Sequence, residues 1–350
     1  MKAYLVTNYK SPLQLGEVAE PTVGDRDVLV DVHAAGVNML DAKIRDGEFK
    51  LILPYQAPFI LGHDLAGVVT RVGPAVTRFT VGDQVYARVR DGRIGTFAER
   101  IAVDEDDLAI KPTSLSMTEA ASVPLVALTA WQTLVERANL QPGQKVLIHG
   151  GSGGVGTYAI QLAKHLGATV ATTTGTSNLE WVRELGADVV IDYRTQSFET
   201  LVHDYDIVLD TQGGETLTKS LRVLKPGGTV IGIAGPPDPD FARRQGLRLP
   251  LRLAITGLSL RTRRAARRHG ARYSFLFMRA SGAQLGEITK LIDTNVLRPI
   301  LDRAYPFDGA PQALAHVESG RTKGKVVITT VRRAIGSAPP RPRSVLPRSS

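Results

Sequence analysis

Gly150, Gly153 and Gly156 recur at every third position in a stretch that runs from the apolar Val146-Leu-Ile148 into Val155, Ile160 and Leu162. The first apolar run reads as a buried strand and the later set as the start of a helix. Glycines at such a junction permit a tight turn, let backbone approach a pyrophosphate and let helix pack on strand. The helix N-terminus then presents unpaired N–H groups and a partial positive charge to that phosphate. The chemistry on offer is phosphate binding, with Gly154 and Val155 in the same turn. By itself a glycine cluster is equally an ordinary flexible loop.

The segments downstream choose between the two. Strands are expected over residues 168–173, 188–193, 205–210 and 228–234. Helical segments between them end at Leu166-Gly167 and Leu185-Gly186, where glycine closes a helix. The alternation implies an α/β fold, a doubly wound parallel sheet of the Rossmann type, with ligand at the carboxyl ends of its strands. An NAD site would carry Asp or Glu about 20 residues beyond the glycine turn, bonded to the ribose 2′-hydroxyl. Thr173, Thr174, Ser177 and Asn178 occupy that region instead. The missing acid removes repulsion against a 2′-phosphate, and hydroxyls can donate to one. NADP (NADPH) is therefore the expected cofactor.

The elements that must position this turn fall into two domains, as 350 residues suggest. Residues 1–118 read as mostly β, with alternating segments at 27–33 and 66–72 separated by glycine and proline turns. A helical stretch over 118–137 leads into a dinucleotide domain spanning 119–296, whose last elements are a sixth strand at 273–278 and a helix at 282–294. Residues 297–330, with a strand at 324–329, are expected to return to the first domain and make it discontinuous. Residues 331–350, rich in Arg, Pro and Ser, are expected to be a disordered basic tail.

Composition excludes several classes. There is no cysteine, so disulfides and thiolate metal sites are ruled out. No signal-peptide block or bilayer-length apolar run is present, and a cytoplasmic enzyme is expected. The net charge of +9 is local: residues 241–272 hold ten arginines and no acid, 331–350 hold five and no acid, and the remainder is net acidic. Arg244, Arg248 and Arg252 recur every four residues, with Leu247, Leu251, Ile255 and Leu258 one face over. This is an amphipathic helical pattern, with Pro250 near a start or a kink. Peripheral contact with an anionic membrane is one reading, and a solvated or subunit-facing helix over a substrate cleft is the other. No aromatic stacking platform accompanies the arginines, which disfavours nucleic acid.

The order of motifs resembles the medium-chain dehydrogenase/reductase superfamily over residues 1 to about 330. Its markers are Gly36-Val-Asn38, Leu61-Gly-His-Asp-Leu-Ala-Gly-Val-Val69, Val81-Gly-Asp-Gln-Val85, Gly151-Ser-Gly-Gly-Val-Gly156 and Gly324-Lys-Val-Val327. The pattern is most similar to the zinc-less quinone oxidoreductases and 2-alkenal reductases. That resemblance implies a GroES-like barrel as the first domain, a homodimer, and NADPH-dependent hydride transfer to a quinone or an α,β-unsaturated carbonyl compound. Gly62-His63-Asp64 is similar to the Gly-His-Glu of zinc alcohol dehydrogenases. Asn38 and Leu125, however, stand at or near the positions of their cysteine ligands, and catalytic zinc needs about three protein ligands. No metal site is expected.

Without a metal, donors near the developing negative charge on the carbonyl oxygen must lower the barrier. The resemblance places Asn38 near the nicotinamide ribose and substrate. Lys43 stands where several quinone oxidoreductases carry tyrosine; it could stabilise an enolate, position cofactor, or be an exposed lysine on a short helix. Tyr55 and water are alternative proton donors. By the same resemblance Thr129 and Lys325 lie near the cofactor and Tyr193 beside the adenosine, with Arg194 able to add charge. The backbone of 275–277 meets the carboxamide, so Phe275 and Phe277 are cofactor-binding candidates, although Phe277 reads equally as core. Asn178 departs from the pattern, since related NADPH enzymes often have lysine there. Two rival readings remain: an NAD(P)-dependent alcohol dehydrogenase, and a cofactor-binding, membrane-associated protein with little catalysis.

Overall fold

The structure, a computed structural model, describes residues 1–330; the expected disorder of 331–350 lies outside them. In the N-terminal part, strands β1 (Lys2–Val6), β2 (Gln14–Glu17) and β4 (Phe59–Ile60) form a small antiparallel sheet. A larger sheet is built on β3 (Asp27–Val37), β5 (Asp64–Val72), β6 (Gln84–Arg88), β7 (Arg100–Asp104) and β8 (Leu108–Ile110). Helix α1 (Met39–Arg45) follows β3 directly. The strands are buried along most of their length: Val28, Val30, Leu65, Val85 and Ile328 meet in one buried cluster, while Ala34, Ala66, Tyr86 and Val327 belong to another.

Helices α2 (Met117–Ala121) and α3 (Pro124–Trp131) lead into the second sheet. Pro124 sits at the first turn of α3, where its missing N–H costs nothing, so the expected continuous helix over 118–137 is two helices followed by a π-helical turn at Gln132–Arg137. The second sheet holds β9 (Lys145–His149), β10 (Thr169–Thr174), β11 (Val189–Asp192), β12 (Tyr205–Asp210), β13 (Leu224–Gly232) and β14 (Arg272–Phe275). All are parallel, in the order β11-β10-β9-β12-β13-β14, the doubly wound arrangement. Its crossovers are α4 (Gly154–His165), α5 (Leu179–Arg183), α6 (Phe198–Leu201) and α7 (Gly214–Ser220). The strand order reverses between β9 and β12, the kind of switch point at which doubly wound sheets take up ligands, and the glycine turn lies there at the end of β9.

Between β13 and β14 the arginine-rich segment folds as three helices, α8 (Pro239–Arg244), α9 (Leu249–Leu258) and α10 (Leu260–Arg268), not one. Gly246, at φ +60°, breaks the pattern, and Pro250 stands in the first turn of α9. The sixth strand is shorter than expected, ending at Phe275. After α11 (Gly282–Asp293) the chain returns: β15 (Leu301–Pro306) and β16 (Lys325–Thr329) flank α12 (Ala310–Glu318), and β16 pairs antiparallel with β3. Among the described residues no helix is long and apolar enough to cross a membrane.

Candidate active site

The return of β16 brings Gly324 and Lys325 against the glycine turn. Gly150 adopts φ +70°, and a Cβ on Gly156 would lie 2.2 Å from the Gly150 carbonyl oxygen, so the turn closes only with glycine at both positions. Gly153 caps α4 in an extended conformation, and Gly324 N–H donates to the Ser152 carbonyl at 2.9 Å. A Cβ on Gly154 would approach the Lys325 side chain at 3.0 Å. The turn, with Val155 in the first turn of α4, is thereby packed against Lys325.

Lys325 is almost fully buried. Its ammonium donates to the Val37 carbonyl at 3.1 Å, to Asp64 Oδ2 at 3.3 Å and to Asn38 Oδ1. Asn38 ends the extended β3 run and precedes α1; its amide donates to Asp64 Oδ2 at 3.0 Å and its backbone N–H to Asp41 Oδ2 at 2.8 Å. Asp64 Oδ1 accepts from the Leu125 N–H at 2.9 Å. Burial pushes the Asp64 carboxyl up, opposed by the Lys325 charge and the Asn38 amide. His63 Nδ1 meets Asp41 Oδ1 at 2.6 Å, with both side chains fully buried. Asn38, Asp41, Asp64 and Lys325 thus form one closed polar network, extended by His63, in which each hydrogen bond fixes the next side chain.

The sequence located Asn38 and Lys325 through the family pattern but missed Asp41 and Asp64. The available signals were an acid three residues after Asn38, as in a capping arrangement, and the Gly62-His63-Asp64 run. Lys43 is not in the network: half-exposed, it pairs with Glu48 at 3.1 Å. Tyr55 accepts from the Gly92 N–H at 3.2 Å, stacks on Phe59 at 5.2 Å, and is pushed up to about 12, mainly by burial. Its phenol keeps its proton across the physiological range.

The cofactor candidates separate into two groups. Thr129 is buried and donates to the Leu125 carbonyl at 2.7 Å, while Thr173 Oγ1 accepts from the Gly150 N–H at 3.3 Å and so braces the turn. Phe275 N–H is taken by Asp238 at 2.9 Å, which leaves that amide unavailable to a carboxamide. Phe277 packs against Phe241 at 5.6 Å and Phe49 at 5.8 Å, closing the gap between the two domains with aromatic surface. At the outer end, Tyr193 Oη and Arg194 Nε both come within 3.6 Å of the Cβ position of Gly175. Thr174 Oγ1 is buried without a partner, Ser177 is exposed, and the Asn178 side chain accepts from Trp181 at 3.1 Å. The nearby acid, Asp192, is occupied by Thr176 Oγ1 at 2.6 Å and by Arg194 N–H at 3.0 Å.

A zinc ion does not fit the donors present. The chain has no cysteine, Nδ1 of His63 is committed to Asp41, and among the described residues no three His, Asp or Glu side chains are placed to hold a metal ion.

Comparison with known proteins agrees with this architecture. Residues 24–113 match the family described as alcohol dehydrogenase GroES-like domain, and 185–328 match the zinc-binding dehydrogenase family, whose description names a metal that these donors do not suit. The chain is 36% identical over 329 residues to the mitochondrial NAD(P)H oxidoreductase RTN4IP1 of Mus musculus, covering 87% of this chain and 82% of that protein. It is 34% identical over 341 residues to the chloroplastic NADPH-dependent alkenal/one oxidoreductase of Arabidopsis thaliana, covering 94% and 79%. The quinone oxidoreductase of Coxiella burnetii superimposes with a TM-score of 0.83 at 29% identity, covering 95% of this chain and 99% of that one. With a glycine turn packed on a buried lysine network and no zinc ligands, the chain belongs to the medium-chain dehydrogenase/reductase superfamily, in its zinc-less quinone and enone reductase branch.

Proposed function

We propose that this protein is an NADPH-dependent, zinc-independent oxidoreductase that reduces quinones or α,β-unsaturated carbonyl compounds. The observation that carries the reading is the packing of the glycine turn against Lys325, whose ammonium holds Asn38 and Asp64. Bound NADPH supplies a hydride to an electron-poor carbon. Gly150, Gly153, Gly154, Val155 and Gly156 would hold its pyrophosphate, and Tyr193 with Arg194, Thr174 and Ser177 its adenosine end. Thr129, Asn38 and Lys325 would border the nicotinamide half.

Within this reading the substrate lies between a unit of 1–118 with 297–330 and a dinucleotide unit of 119–296. Every donor of Asn38 and Lys325 is spent inside the network, so both act as positioning residues that pre-organise the wall of the site. Tyr55 has a hydroxyl proton to give, and Lys43 is a second candidate donor. Phe49 and Phe277, which pack together at 5.8 Å, would offer a planar, apolar substrate an aromatic wall, backed by the buried Phe241. A homodimer and a cytoplasmic location belong to the same proposal; sedimentation and cell fractionation test them.

The deciding experiment is anaerobic NADPH oxidation with chelator present, against 9,10-phenanthrenequinone, 1,4-benzoquinone, a 2-alkenal and a simple ketone. Chelator-resistant turnover of a quinone or the alkenal is expected. Activity on the ketone alone, lost with chelator and restored by zinc, would overturn the reading in favour of an alcohol dehydrogenase.

A further inference from the structure

Helix α9 buries one side and leaves the other bare. Ile255 and Leu251 pack inward, in the cluster that contains Phe241 and Phe275. The outward half carries Leu249, Pro250, Leu253, Ala254, Gly257 and Leu258, and no polar side chain at all. Leu249 and Leu253 are each 64% exposed and Leu258 67%, values that leave most of each side chain in water. Leu258 shares the sequence periodicity of Leu247, Leu251 and Ile255, but the structure turns it outward while Ile255 is buried. An isolated exposed leucine needs no explanation, but a helix face made only of apolar residues is a docking surface.

The next helix identifies what docks. Ser259 joins α9 to α10, whose exposed arc holds Leu260, Arg261, Arg264, Arg267 and Arg268. Among the described residues none of these four arginines has an ion-pair partner, whereas Arg243 of α8 is paired with Asp240. An oily face and an unpaired cationic face therefore meet at Leu258–Leu260. A second copy of this chain fits poorly, because self-association through this face would bring together two segments of ten arginines and no acid each. Ten helical residues span about 15 Å, half of a bilayer core of about 30 Å, so α9 can lie in an interface but not cross it.

We propose that α9 and α10 dock the protein on an anionic lipid bilayer, the leucines of α9 entering the headgroup–acyl boundary and the arginines of α10 meeting lipid phosphates. The surface is independent of the catalytic reading, since neither exposed face contains a residue assigned to the site.

Sedimentation of the full chain with vesicles tests this. Binding is expected to phosphatidylcholine–phosphatidylglycerol vesicles and not to pure phosphatidylcholine, with release by salt. Arg264→Gln/Arg267→Gln/Arg268→Gln is expected to weaken it on the order of a hundredfold. Leu253→Ser/Leu258→Ser is expected to weaken it as well, and both variants should keep wild-type melting temperature and NADPH oxidation. Equal binding to neutral vesicles, or none to either, overturns the proposal. So does binding that survives both variants, which would place the anchor elsewhere, the arginines of 331–350 included. Retention on RNA without retention on vesicles, or a dimer dispersed by Leu253→Ser/Leu258→Ser, would assign the face to another partner and also overturn it.

Discussion

Lys325 Nζ lies 3.3 Å from Asp64 Oδ2, and both side chains are almost completely buried, although 261 residues separate them. Two charges removed from water are tolerated only because Asn38, Val37 and Leu125 satisfy the rest of their hydrogen-bonding capacity. Lys325→Met leaves a buried carboxylate and should cost about 3–5 kcal/mol in urea unfolding. Adding Asp64→Asn should recover most of that loss. A double variant no more stable than Lys325→Met would mean that the pair is not coupled.

The same network distinguishes the two lysine candidates. Lys43 is half-exposed and paired with Glu48, an arrangement worth at most about 1 kcal/mol. Lys43→Met should therefore leave stability unchanged, and a fall of more than about tenfold in kcat/KM would show that it acts on the substrate directly. Asn38→Ala should lower kcat/KM without that exemption, because its amide and carbonyl both orient buried partners.

The glycine turn predicts a contrast between neighbours. Gly156→Ala sets a methyl 2.2 Å from a backbone oxygen that cannot yield, whereas Gly154→Ala meets the side chains of Val126 at 2.9 Å and Lys325 at 3.0 Å. NADPH affinity, read by fluorescence titration, should collapse in the first variant and fall less in the second. Equal losses would remove the steric account.

In the proposed reading Arg194, whose Nε lies 3.6 Å from the Gly175 Cβ position, supplies the charge at the adenosine end. One charge-assisted hydrogen bond to a 2′-phosphate is worth roughly tenfold or more in affinity. Arg194→Ala should raise KM for NADPH by about that factor and leave KM for NADH unchanged. A matched rise for both cofactors would place Arg194 away from the 2′-position.

His149 lies fully buried at the end of β9, bonded to Thr173 at 3.1 Å and Ser220 at 2.9 Å, and burial lowers it to about 4. Above pH 6.5 it is neutral in both folded and unfolded chains and contributes no pH dependence. As pH falls from about 6.5 to about 4 the unfolded chain takes up a proton that the folded one refuses, so up to about 3 kcal/mol of stability is lost. Urea midpoints of the wild type should drop faster over that interval than those of His149→Gln. Parallel curves would show that this histidine titrates normally.

Much of the molecule was legible because its signals are local. The glycine spacing from Gly150 to Gly156, the apolar runs of β9 and β12, and the closing glycines Gly167 and Gly186 each act within a few residues, and periodicity reports them directly. The absence of an acid after β10 is equally local. The chain by itself therefore determined the doubly wound sheet, the glycine turn and the leaning toward NADPH. Tertiary structure alone decided what Asp41, His63 and Asp64 do, because their partners lie on other elements brought close by strand register. It also decided that Phe275 N–H belongs to Asp238, and that Leu258 faces outward while Leu251 packs in. Spacing along a helix says that two faces differ, and only the neighbouring elements determine which face is covered.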